Sequence, residues 1–520
     1  MGLGRVAIAS IFIAITILLA LTKSCHSAKI LLVVQHYHSH AQVVAAVGDE
    51  LHARGHAVTM VAAQAVQSLS SKEFKVRYYQ TPVRDQDLAD CTAQSLKNQD
   101  PLLSACNRLF RDDILAFTNG KELLDELKRE NFDGLICDVA SYACLIVAEY
   151  INIKVQVDVS PIGLLDPLTT SPYHIPGPPA YVPQMAVIAT NKMNLYQRTQ
   201  NVIFYGIMIT LLRTFMFSNM YRSANITNLG FNSPPSFELR RSTFLIANGD
   251  FAVDYPRPIT PATKVVGPLL PKPAQTLPDD LQQFASANKN GTIVVSFGSV
   301  MIGLKYVTDL EIFFQAFGQL PYNVIWKFSD KITHHIPDNL KVVQWLPQND
   351  LLGHHNVKAL VTHCGLNSVL EAAYHGVPMI GIPIAADGMN HAQKIIARNI
   401  GVILDIKTMT SNDLSNAIIN VVTDKFIAEN ATKISAFIKN RPNGRTPAQE
   451  AGDWVEFALG SEGGNYLRTE EYNLRWYELY LIDVYAVLII ICYLFIKLMK
   501  LVWKGIANVC CRRKEKVKKS

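Results

Sequence analysis

The residue types best suited to chemistry lie together in the C-terminal half of the chain. The run Val357–Thr362 is short, apolar and rich in β-branched residues, which is typical of a buried strand. It ends at His363, Gly365 follows, and Asn367–His375 has the composition of a helix. Free backbone N–H groups at the start of such a helix favour an anion. The pattern therefore predicts a phosphate site at a strand-to-helix turn.

Two neighbouring side chains indicate what else would bind there. Asn367 and Glu371 are four residues apart, so they share one face of the predicted helix. A glutamate repels phosphate but suits a neutral polyol such as ribose. Trp345, on a loop after another predicted strand, offers a flat face on which a base can stack. Together these residues predict a nucleoside diphosphate site, and the alternative is a generic buried strand–helix unit without a ligand.

This stretch resembles the donor-binding signature of the UDP-glycosyltransferase family. The sequence reads WLPQ from Trp345 to Gln348 and HCGLNSVLE from His363 to Glu371, in the order of the family's W-x-P-Q and H-x-G-x-N-x-x-x-E motifs. The family's P-x-x-x-D-Q motif then follows, with one departure. Gly388 stands after Asp387 where the family usually has Gln. That pair is thought to hold the sugar hydroxyls, so the identity of the donor sugar stays open.

The resemblance implies a role for each residue of the motif. Trp345 stacks the uracil, Gln348 bonds the uridine and Glu371 holds the ribose. The residues implied at the diphosphate are Ser299, His363, Gly365, Asn367 and Ser368. Asp387 holds sugar hydroxyls, and Gly388 contributes backbone at most. The UDP-sugar is a donor substrate, and no cofactor and no metal ion are implied.

A histidine in the first half carries the acid–base chemistry under the same resemblance. Residues 35–40 read QHYHSH, between a predicted strand and its helix. The family has its catalytic His immediately after a Ser, and alignment through Ala41–His56 gives that role to His40. Transfer of a sugar to a hydroxyl needs a base, and histidine titrates near neutral pH. Asp138, at the end of the predicted strand Gly134–Val139, matches the family's partner carboxylate, which fixes the imidazole tautomer.

The alternating histidines His36, His38 and His40 allow a different chemistry. In an extended strand all three would project to one side and could bind zinc. No fourth ligand follows at zinc-site spacing, and the residues straddle a predicted loop. A lone loop histidine is also more often a surface or capping residue. Zinc therefore remains the alternative to the catalytic base.

The order of predicted elements indicates an α/β fold in two halves, for which 520 residues are sufficient. The predicted strands of the first half are Lys29–Val34, Ala57–Ala62, Gly134–Val139 and Lys154–Ser160, and its helices include Ala41–Arg54, Lys121–Glu130 and Tyr142–Ile151. In the second half, the first predicted strands are Gly291–Ser299, Asn323–Phe328 and Lys341–Val343, and the first predicted helix is Thr308–Leu320. Parallel strands place their ligand loops at the carboxyl edge of each sheet. The family resemblance accordingly implies the GT-B fold, two facing Rossmann-like domains.

Composition and the family resemblance together imply the domain boundaries. They are a signal peptide at 1–28, an acceptor-binding domain at 29–265, a Pro-rich linker at 266–290, a UDP-sugar-binding domain at 291–460, a connecting segment at 461–478, a transmembrane helix at 479–503 and a basic cytosolic tail at 504–520. The signal peptide follows from Arg5 and the apolar run after it, with an uncleaved anchor as the alternative. The transmembrane helix follows from an apolar run flanked by Trp476 and Trp503, with a buried core helix as the alternative.

The termini also predict the location. Positive-inside logic places the basic tail in the cytosol and the body in the lumen, as in a single-pass type I protein. The last residues, KVKKS, match a dilysine retrieval signal, and the family's location tilts the prediction toward the endoplasmic reticulum membrane. Asn225, Asn290 and Asn430 begin N-x-T sequons, so we expect glycosylation at these positions.

The nine cysteines lack the spacing of a metal site. Among those of the predicted luminal body, Cys91 and Cys106 are the pair expected to form a disulfide. Cys137, Cys144 and Cys364 are instead predicted to be small core residues. This pattern assigns the cysteines to structure rather than to chemistry.

Together with the predicted termini, the family resemblance implies a membrane-bound, inverting UDP-glycosyltransferase that acts on hydroxyls of small lipophilic acceptors. The donor sugar, whether glucuronic acid, glucose or galactose, stays open, as does the acceptor, which has no transferable motif. The alternative is a catalytically inactive membrane-bound regulatory or binding paralogue, which Gly388 keeps open. Expected partners are the UDP-sugar, the acceptor, the membrane and a homo- or hetero-oligomer. The net charge of +6 is modest and does not argue for nucleic acid.

Overall fold

The computed structural model describes residues 27–517 with internal gaps. The gaps are 35–36, 67–72, 84–86, 88–89, 91–93, 95–106, 142, 186, 212–225, 232–241, 299–303, 305–307, 330–331, 385–386, 462 and 464. The predictions that fall outside the described residues concern signal-peptide residues 1–26, His36, Cys91, Cys106, Asn225, Ser299 and the tail at 518–520. The chain forms two compact units, one ending at Leu467 and one beginning at Arg468.

The first sheet is built from near-continuous apolar runs. Its seven strands lie in the order β3-β2-β1-β4-β5-β6-β7, and all neighbours pair in parallel. Their bounds are β1 Lys29–Val33, β2 Ala57–Ala63, β3 Lys75–Tyr79, β4 Gly134–Asp138, β5 Val155–Ser160, β6 Ser242–Asn248 and β7 Thr263–Gly267. In β1, Leu31 and Val33 pack into one core, whereas Leu32 packs into a core on the other face. Burial on both faces explains the unbroken hydrophobic sequence of the strand.

The helices that accompany this sheet are α1 His38–Ala53, α2 Asn107–Asn119, α3 Lys121–Glu130, α4 Ala143–Tyr150 and α5 Leu195–Leu211. Helix α1 begins at His38, earlier than the predicted Ala41. His38 and His40 therefore lie in a helical turn, where residues two apart do not share a face. The extended strand that the zinc alternative requires is absent at these two described histidines.

The second sheet also pairs in parallel throughout. Its six strands lie in the order β10-β9-β8-β11-β12-β13. Their bounds are β8 Thr292–Ser296, β9 Asn323–Lys327, β10 Leu340–Val343, β11 Val357–Thr362, β12 Met379–Gly381 and β13 Gly401–Ile403. The helices are α6 Asp279–Ala287, α7 Glu311–Gly318, α8 Gln348–Leu352, α9 Leu366–His375, α10 Asp387–Ala397, α11 Ser411–Thr423, α12 Lys425–Lys439 and α13 Pro447–Gly460. Two parallel sheets with helices confirm the predicted α/β class.

Two segments differ from the predicted domain plan. The predicted linker at 266–290 contains the end of β7 and the whole of α6. Helix α13 packs on the first sheet, although the predicted boundary at 460 places it with the second. There, Arg54 forms ion pairs with Asp453 and Glu456, each at 2.8 Å. The chain thus returns to the first half after it has completed the second.

The C-terminal unit contains a long apolar helix. A short helix, α14 Trp476–Leu479, precedes α15 Ile482–Val517. Within α15, Ile482–Ala507 is 26 residues long with a mean hydropathy of 2.3, and none of its most apolar window is buried. About 20 apolar residues suffice to cross a bilayer. One C-terminal apolar helix is therefore confirmed, displaced slightly from the predicted 479–503.

The prediction that Cys137 and Cys144 are unpaired core residues was wrong. Cys137 and Cys144 are buried, as core residues would be, but they form a disulfide with their Cα atoms 6.0 Å apart. The pairing arises because α4 starts soon after β4 ends, so the connecting turn brings the two sulfurs together. Cys364 is buried and free, as expected.

Candidate active site

His40 and Asp138 meet at the carboxyl ends of adjacent strands. Strands β1 and β4 pair in parallel, so the loop after β1 and the last residue of β4 share one sheet edge. His40 Nδ1 lies 3.0 Å from Asp138 Oδ2 and 3.3 Å from Oδ1. The Ala140 N–H donates to Oδ1 at 3.0 Å. The carboxylate thereby orients one ring nitrogen and leaves Nε2 for another partner.

The surroundings make His40 a stronger base than a free histidine. Burial by itself would lower its pKa, because the charged imidazolium loses water. The charge and hydrogen bond of Asp138, with a smaller contribution from Asp387, outweigh burial and raise the pKa of His40. Asp138 itself is fully buried, and the His40 side chain is 12% exposed. The pair can therefore accept a proton from a group that reaches the exposed edge of the ring.

The disulfide brackets the residue that orients His40. Cys137 is the last residue before Asp138, and Cys144 lies in the first turn of α4. Between them, the Ser141 N–H donates to the Asp138 carbonyl at 2.9 Å. The covalent bond and this turn together fix the segment that carries the carboxylate.

On the second sheet, the residues expected at the uridine gather at the carboxyl edge. Trp345 follows β10 and is 62% exposed, so a ring face is accessible. Gln348, at the start of α8, donates from Nε2 to Glu371 Oε2 at 2.5 Å and to Ser368 Oγ at 3.1 Å. Burial raises the pKa of Glu371 to about 7, against the opposing effect of Gln348. Both protonation states of Glu371 can bond a sugar hydroxyl.

His363 is held tightly in the turn after β11. A Cβ added at Gly298 would lie 2.7 Å from the ring, and one added at Gly365 would overlap it. The imidazole of His363 thus fills the space that a side chain at Gly365 would need. Burial lowers the pKa of His363 to about 4, so the ring is neutral at physiological pH. It can offer a hydrogen bond but no charge.

Asn367 joins the second half of the chain to the first. Its Oδ1 accepts a hydrogen bond from Asn248 Nδ2 at 2.9 Å, and its Nδ2 donates to the Ser39 carbonyl at 3.3 Å. Asn248 is fully buried at the end of β6 and also donates to the Pro161 carbonyl at 3.0 Å. The Asn367 side chain, which is expected at the phosphate, is therefore bonded across the cleft between the two halves of the chain, next to the His40–Asp138 pair.

Helix α10 supplies the residues expected at the sugar. Asp387 Oδ2 lies 3.5 Å from His391 Nε2. Burial opposes ionisation of Asp387, but His391 and His363 outweigh it and lower the pKa of Asp387. A Cβ at Gly388 would lie 2.8 Å from the His363 carbonyl oxygen. A side chain at 388 would therefore require the helix start or the His363 turn to shift.

Sequence reasoning missed three residues of this site. Lys327, the last residue of β9, places its Nζ 4.5 Å from the centroid of the Trp345 ring. A signal was available, because Lys327 is the penultimate residue of the predicted strand Asn323–Phe328, next to its carboxyl end. His391 could have been found from its i, i+4 spacing to Asp387. Asn248 had no such signal, because its strand was not predicted.

Comparison with known proteins identifies the family of the chain. The family described as "UDP-glucoronosyl and UDP-glucosyl transferase" matches residues 28–519. The 2-hydroxyacylsphingosine 1-beta-galactosyltransferase of Homo sapiens is 29% identical over 493 residues, which cover 92% of this chain and 89% of that protein. UDP-glucuronosyltransferase 1A1 of Rattus norvegicus is 29% identical over 525 residues, which cover 95% of this chain and 94% of that protein.

Solved structures share the fold at lower sequence identity. The glycotransferase of kitacinnamycin superposes with a TM-score of 0.57 at 19% identity, covering 83% of this chain and 98% of that one. CalG4, the calicheamicin glycosyltransferase, gives a TM-score of 0.55 at 18% identity, covering 84% and 99%. These neighbours confirm the predicted GT-B fold. Because the family match spans nearly the whole sequence, the chain belongs to the UDP-glucoronosyl and UDP-glucosyl transferase family.

Proposed function

We propose that the chain transfers a sugar from a UDP-sugar to a hydroxyl of a small lipophilic acceptor, with inversion at the anomeric carbon. The observation that carries this proposal is the contact between His40 and the buried Asp138, 3.0 Å long, at the sheet edge next to the donor-side residue Asn367. Relatives named as galactosyl- and glucuronosyltransferases support a hexose or glucuronic acid as the transferred sugar.

In the proposed reaction, His40 Nε2 takes the proton of the acceptor hydroxyl as its oxygen attacks the anomeric carbon. A bond forms between that oxygen and the anomeric carbon, and the bond from this carbon to the β-phosphate oxygen breaks. The electron pair leaves with UDP. Asp138, bonded to Nδ1, stabilises the imidazolium that results. Attack from the face opposite UDP converts an α-linked donor into a β-glycoside.

The second half would hold the donor. Trp345 stacks the uracil, Gln348 bonds the uridine and Glu371 binds the ribose. The diphosphate would be held by Ser299, His363, Gly365, Asn367 and Ser368. The N-terminus of α9 then stabilises the charge that builds on the departing UDP, so no metal ion takes part in the proposal. Asp387 would bind sugar hydroxyls, with only the backbone of Gly388 beside it.

The acceptor and the location follow from the membrane anchor. We place the C-terminal apolar helix in the endoplasmic reticulum membrane as a single span, with the body in the lumen and the basic tail in the cytosol. A relative named for 2-hydroxyacylsphingosine and a body held at a lipid surface both favour lipophilic acceptors. Of the proposed glycosylation sites, Asn290 is exposed and Asn430 is partly exposed.

The test is a donor panel on membranes that contain the full-length protein. UDP-glucuronic acid, UDP-glucose and UDP-galactose are each offered with a simple phenol as acceptor. We expect transfer with at least one donor, and its loss in His40→Ala and Asp138→Asn while UDP still binds. Full activity in both variants would exclude the dyad as the proton acceptor.

The same panel separates the enzyme from an inactive paralogue. The close packing at Gly388, where a side chain would meet the His363 carbonyl, is the observation that favours the paralogue. An inactive paralogue would neither transfer nor hydrolyse the sugar of any UDP-sugar, although it would bind UDP. Turnover of any donor that depends on His40 would exclude it.

A further inference from the structure

One cation of the donor half has no assigned role. Lys327 ends β9, which lies between β8 and β10 in the sheet. The loop after β10 carries Trp345, and the Lys327 Nζ lies 4.5 Å from the centroid of that ring. The side chain is half-buried. Lys327 is therefore at the carboxyl edge, where ligands bind in parallel sheets.

Lys327 differs from neighbouring lysines in its lack of a carboxylate partner. Lys341 on β10 pairs with Asp280 at 3.0 Å, and the buried Lys394 pairs with Asp254 at 3.1 Å. Within the described part of the chain, no carboxylate lies at ion-pair distance from Lys327. Burial lowers the pKa of Lys327, and the more distant Glu371 only partly opposes this. A half-buried ammonium without a carboxylate partner is unfavourable, and a bound anion would relieve it.

The charge of Lys327 reaches both ends of the proposed nucleotide site. Burial is the main influence on both groups, lowering the pKa of His363 and raising that of Glu371, and the Lys327 charge lowers the pKa of each. His363 is expected at the phosphates and Glu371 at the ribose. Lys327 thus lies within electrostatic reach of the position where the ribose joins the diphosphate.

We infer that Lys327 binds the α-phosphate of the UDP-sugar donor. This inference rests on the proposed function, and it deepens the assignment of the same site. The α-phosphate is the one nearer to the base, which Trp345 is proposed to stack. An ammonium–phosphate hydrogen bond is charge-assisted and supplies the positive charge that neutral His363 lacks. Lys327 also offsets the charge on the departing UDP.

A ligand series with increasing phosphate count tests the inference. Uridine, UMP and UDP are titrated into purified full-length protein in detergent, as wild type and as Lys327→Met. We expect the affinity for UMP and for UDP to fall roughly tenfold to a hundredfold, because a charge-assisted hydrogen bond is lost. The affinity for uridine should be unchanged, because uridine carries no phosphate.

Two further variants control the experiment. Lys327→Arg keeps the positive charge and should retain most of the affinity for UMP and UDP. Lys341→Met removes a lysine of the neighbouring strand that is already paired with Asp280, and it should bind all three ligands like the wild type. Thermal unfolding of each variant shows that the fold is intact.

Each other outcome overturns the inference in an identifiable way. An equal loss for uridine would mean that Lys327 supports Trp345 through its cation–π contact instead. A loss for UDP but not for UMP would exclude the α-phosphate, and unchanged binding of all three would exclude any phosphate contact. If the wild-type protein binds no UDP, the proposed function fails first and the inference falls with it.

Discussion

The two sides of the cleft differ in how far they are arranged for the proposed reaction. On the first side, His40 and Asp138 are already in contact at 3.0 Å, in a segment bracketed by a disulfide. On the second side, residues expected to hold the donor are bonded to other protein groups. Gln348 donates to Glu371, and Asn367 bridges to Asn248 on the first side. For the proposed reaction, the first side is already arranged for proton transfer, whereas the second side would have to exchange partners before it could hold a donor.

This difference separates the expected effects on turnover and on binding. A protein hydrogen bond that is replaced by a bond to the donor changes the free energy little, because both states remain bonded. Donor binding can therefore break these contacts at small cost. Changes on the first side should lower kcat with little effect on donor affinity, and changes on the second side should act mainly on donor affinity or KM.

The largest expected effect follows from removing the charge of Asp138. We expect Asp138→Asn to lower kcat about a thousandfold, because His40 loses the group that fixes its tautomer and stabilises its charged form. Donor KM should change little. Steady-state kinetics with the best donor of the panel measure both quantities.

A matched control uses the other end of the same strand. Asp133 immediately precedes β4 and bonds the Lys29 N–H at 2.7 Å, away from the dyad. Asp133→Asn should keep near-normal turnover. If Asp138→Asn raised KM and left kcat intact, the division of labour between the two sides would be wrong.

Removal of the Cys137–Cys144 disulfide tests whether this bond positions Asp138. Replacing both Cys137 and Cys144 by Ala should lower the free energy of unfolding by about 2 to 3 kcal/mol, the loop-closure value for a short loop. We also expect kcat to fall about tenfold at unchanged donor KM, because Asp138 is less well positioned. Denaturant unfolding and kinetics of the same preparation give the two values.

Cys364→Ala is the control, because Cys364 is buried and free in the described part of the second half. It should leave kcat unchanged. A double variant that loses stability but keeps full turnover would show that the disulfide supports the fold and does not position Asp138.

The packing at Gly388 tests the second side. Gly388→Ala should weaken use of the UDP-sugar and lower the free energy of unfolding by about 1 to 3 kcal/mol, because its Cβ would meet the His363 carbonyl at 2.8 Å. Gly388→Gln should not restore a family-like donor site, for the same reason. Ala substitution at Gly206, where a Cβ meets nothing within 4 Å, is the control. Improved transfer in Gly388→Gln would contradict this reading of the turn.

Gly388 also shows where sequence reasoning stopped. The motif revealed that a side chain was missing, but the reason is a backbone contact between residues distant in sequence. Similarly, Asn367 was identified from its motif, whereas its bond to Asn248 depends on a strand that was not predicted. Strand β3, read KVRYY, was missed because alternating charged residues hide a sheet-edge strand. Strand β4 was predicted well, because GLICD is apolar up to its final Asp.

The chemistry was partly predictable because of topology. Parallel strands place the residues that follow them on one edge, so His40 and Asp138 could be expected to meet. Their surroundings could not be expected, because burial and the charges of neighbours set them. The pairing of Cys137 with Cys144 depends likewise on how soon α4 begins after β4.

Substitution of Glu371 tests whether this buried carboxyl lowers the stability of the fold while it contributes to binding of UDP. Its pKa is raised to about 7 by burial, so the folded protein holds a proton that the unfolded chain releases above the usual glutamate pKa. Stability therefore falls as pH rises from about 4.5 to 7. Glu371→Gln removes this loss and should raise the free energy of unfolding at pH 8 by roughly 1 to 2 kcal/mol, after allowance for partial exposure.

The same substitution should weaken binding of UDP, because the ribose loses a carboxylate acceptor. Thermal unfolding at two pH values and titration with UDP measure the two effects. Glu450→Gln is the control, because Glu450 pairs with Arg441 outside the site. A variant that is neither more stable at pH 8 nor weaker in UDP binding would contradict the assignment.

The smallest expected effect is on the pH dependence of kcat and of donor KM, which compares the two sides most directly. His40 must be neutral to act as a base, and its pKa is raised by Asp138 despite burial, so kcat should fall as pH drops through a value above that of free histidine. Glu371 titrates at about 7 on the other side, so its proton should change donor KM instead. In Glu371→Gln the pH dependence of KM should flatten while the acid limb of kcat stays in place. If the substitution changed the pH dependence of both kcat and KM, the two sides of the cleft would share one titrating group. The proton acceptor and the donor site would then not be separate, as proposed here.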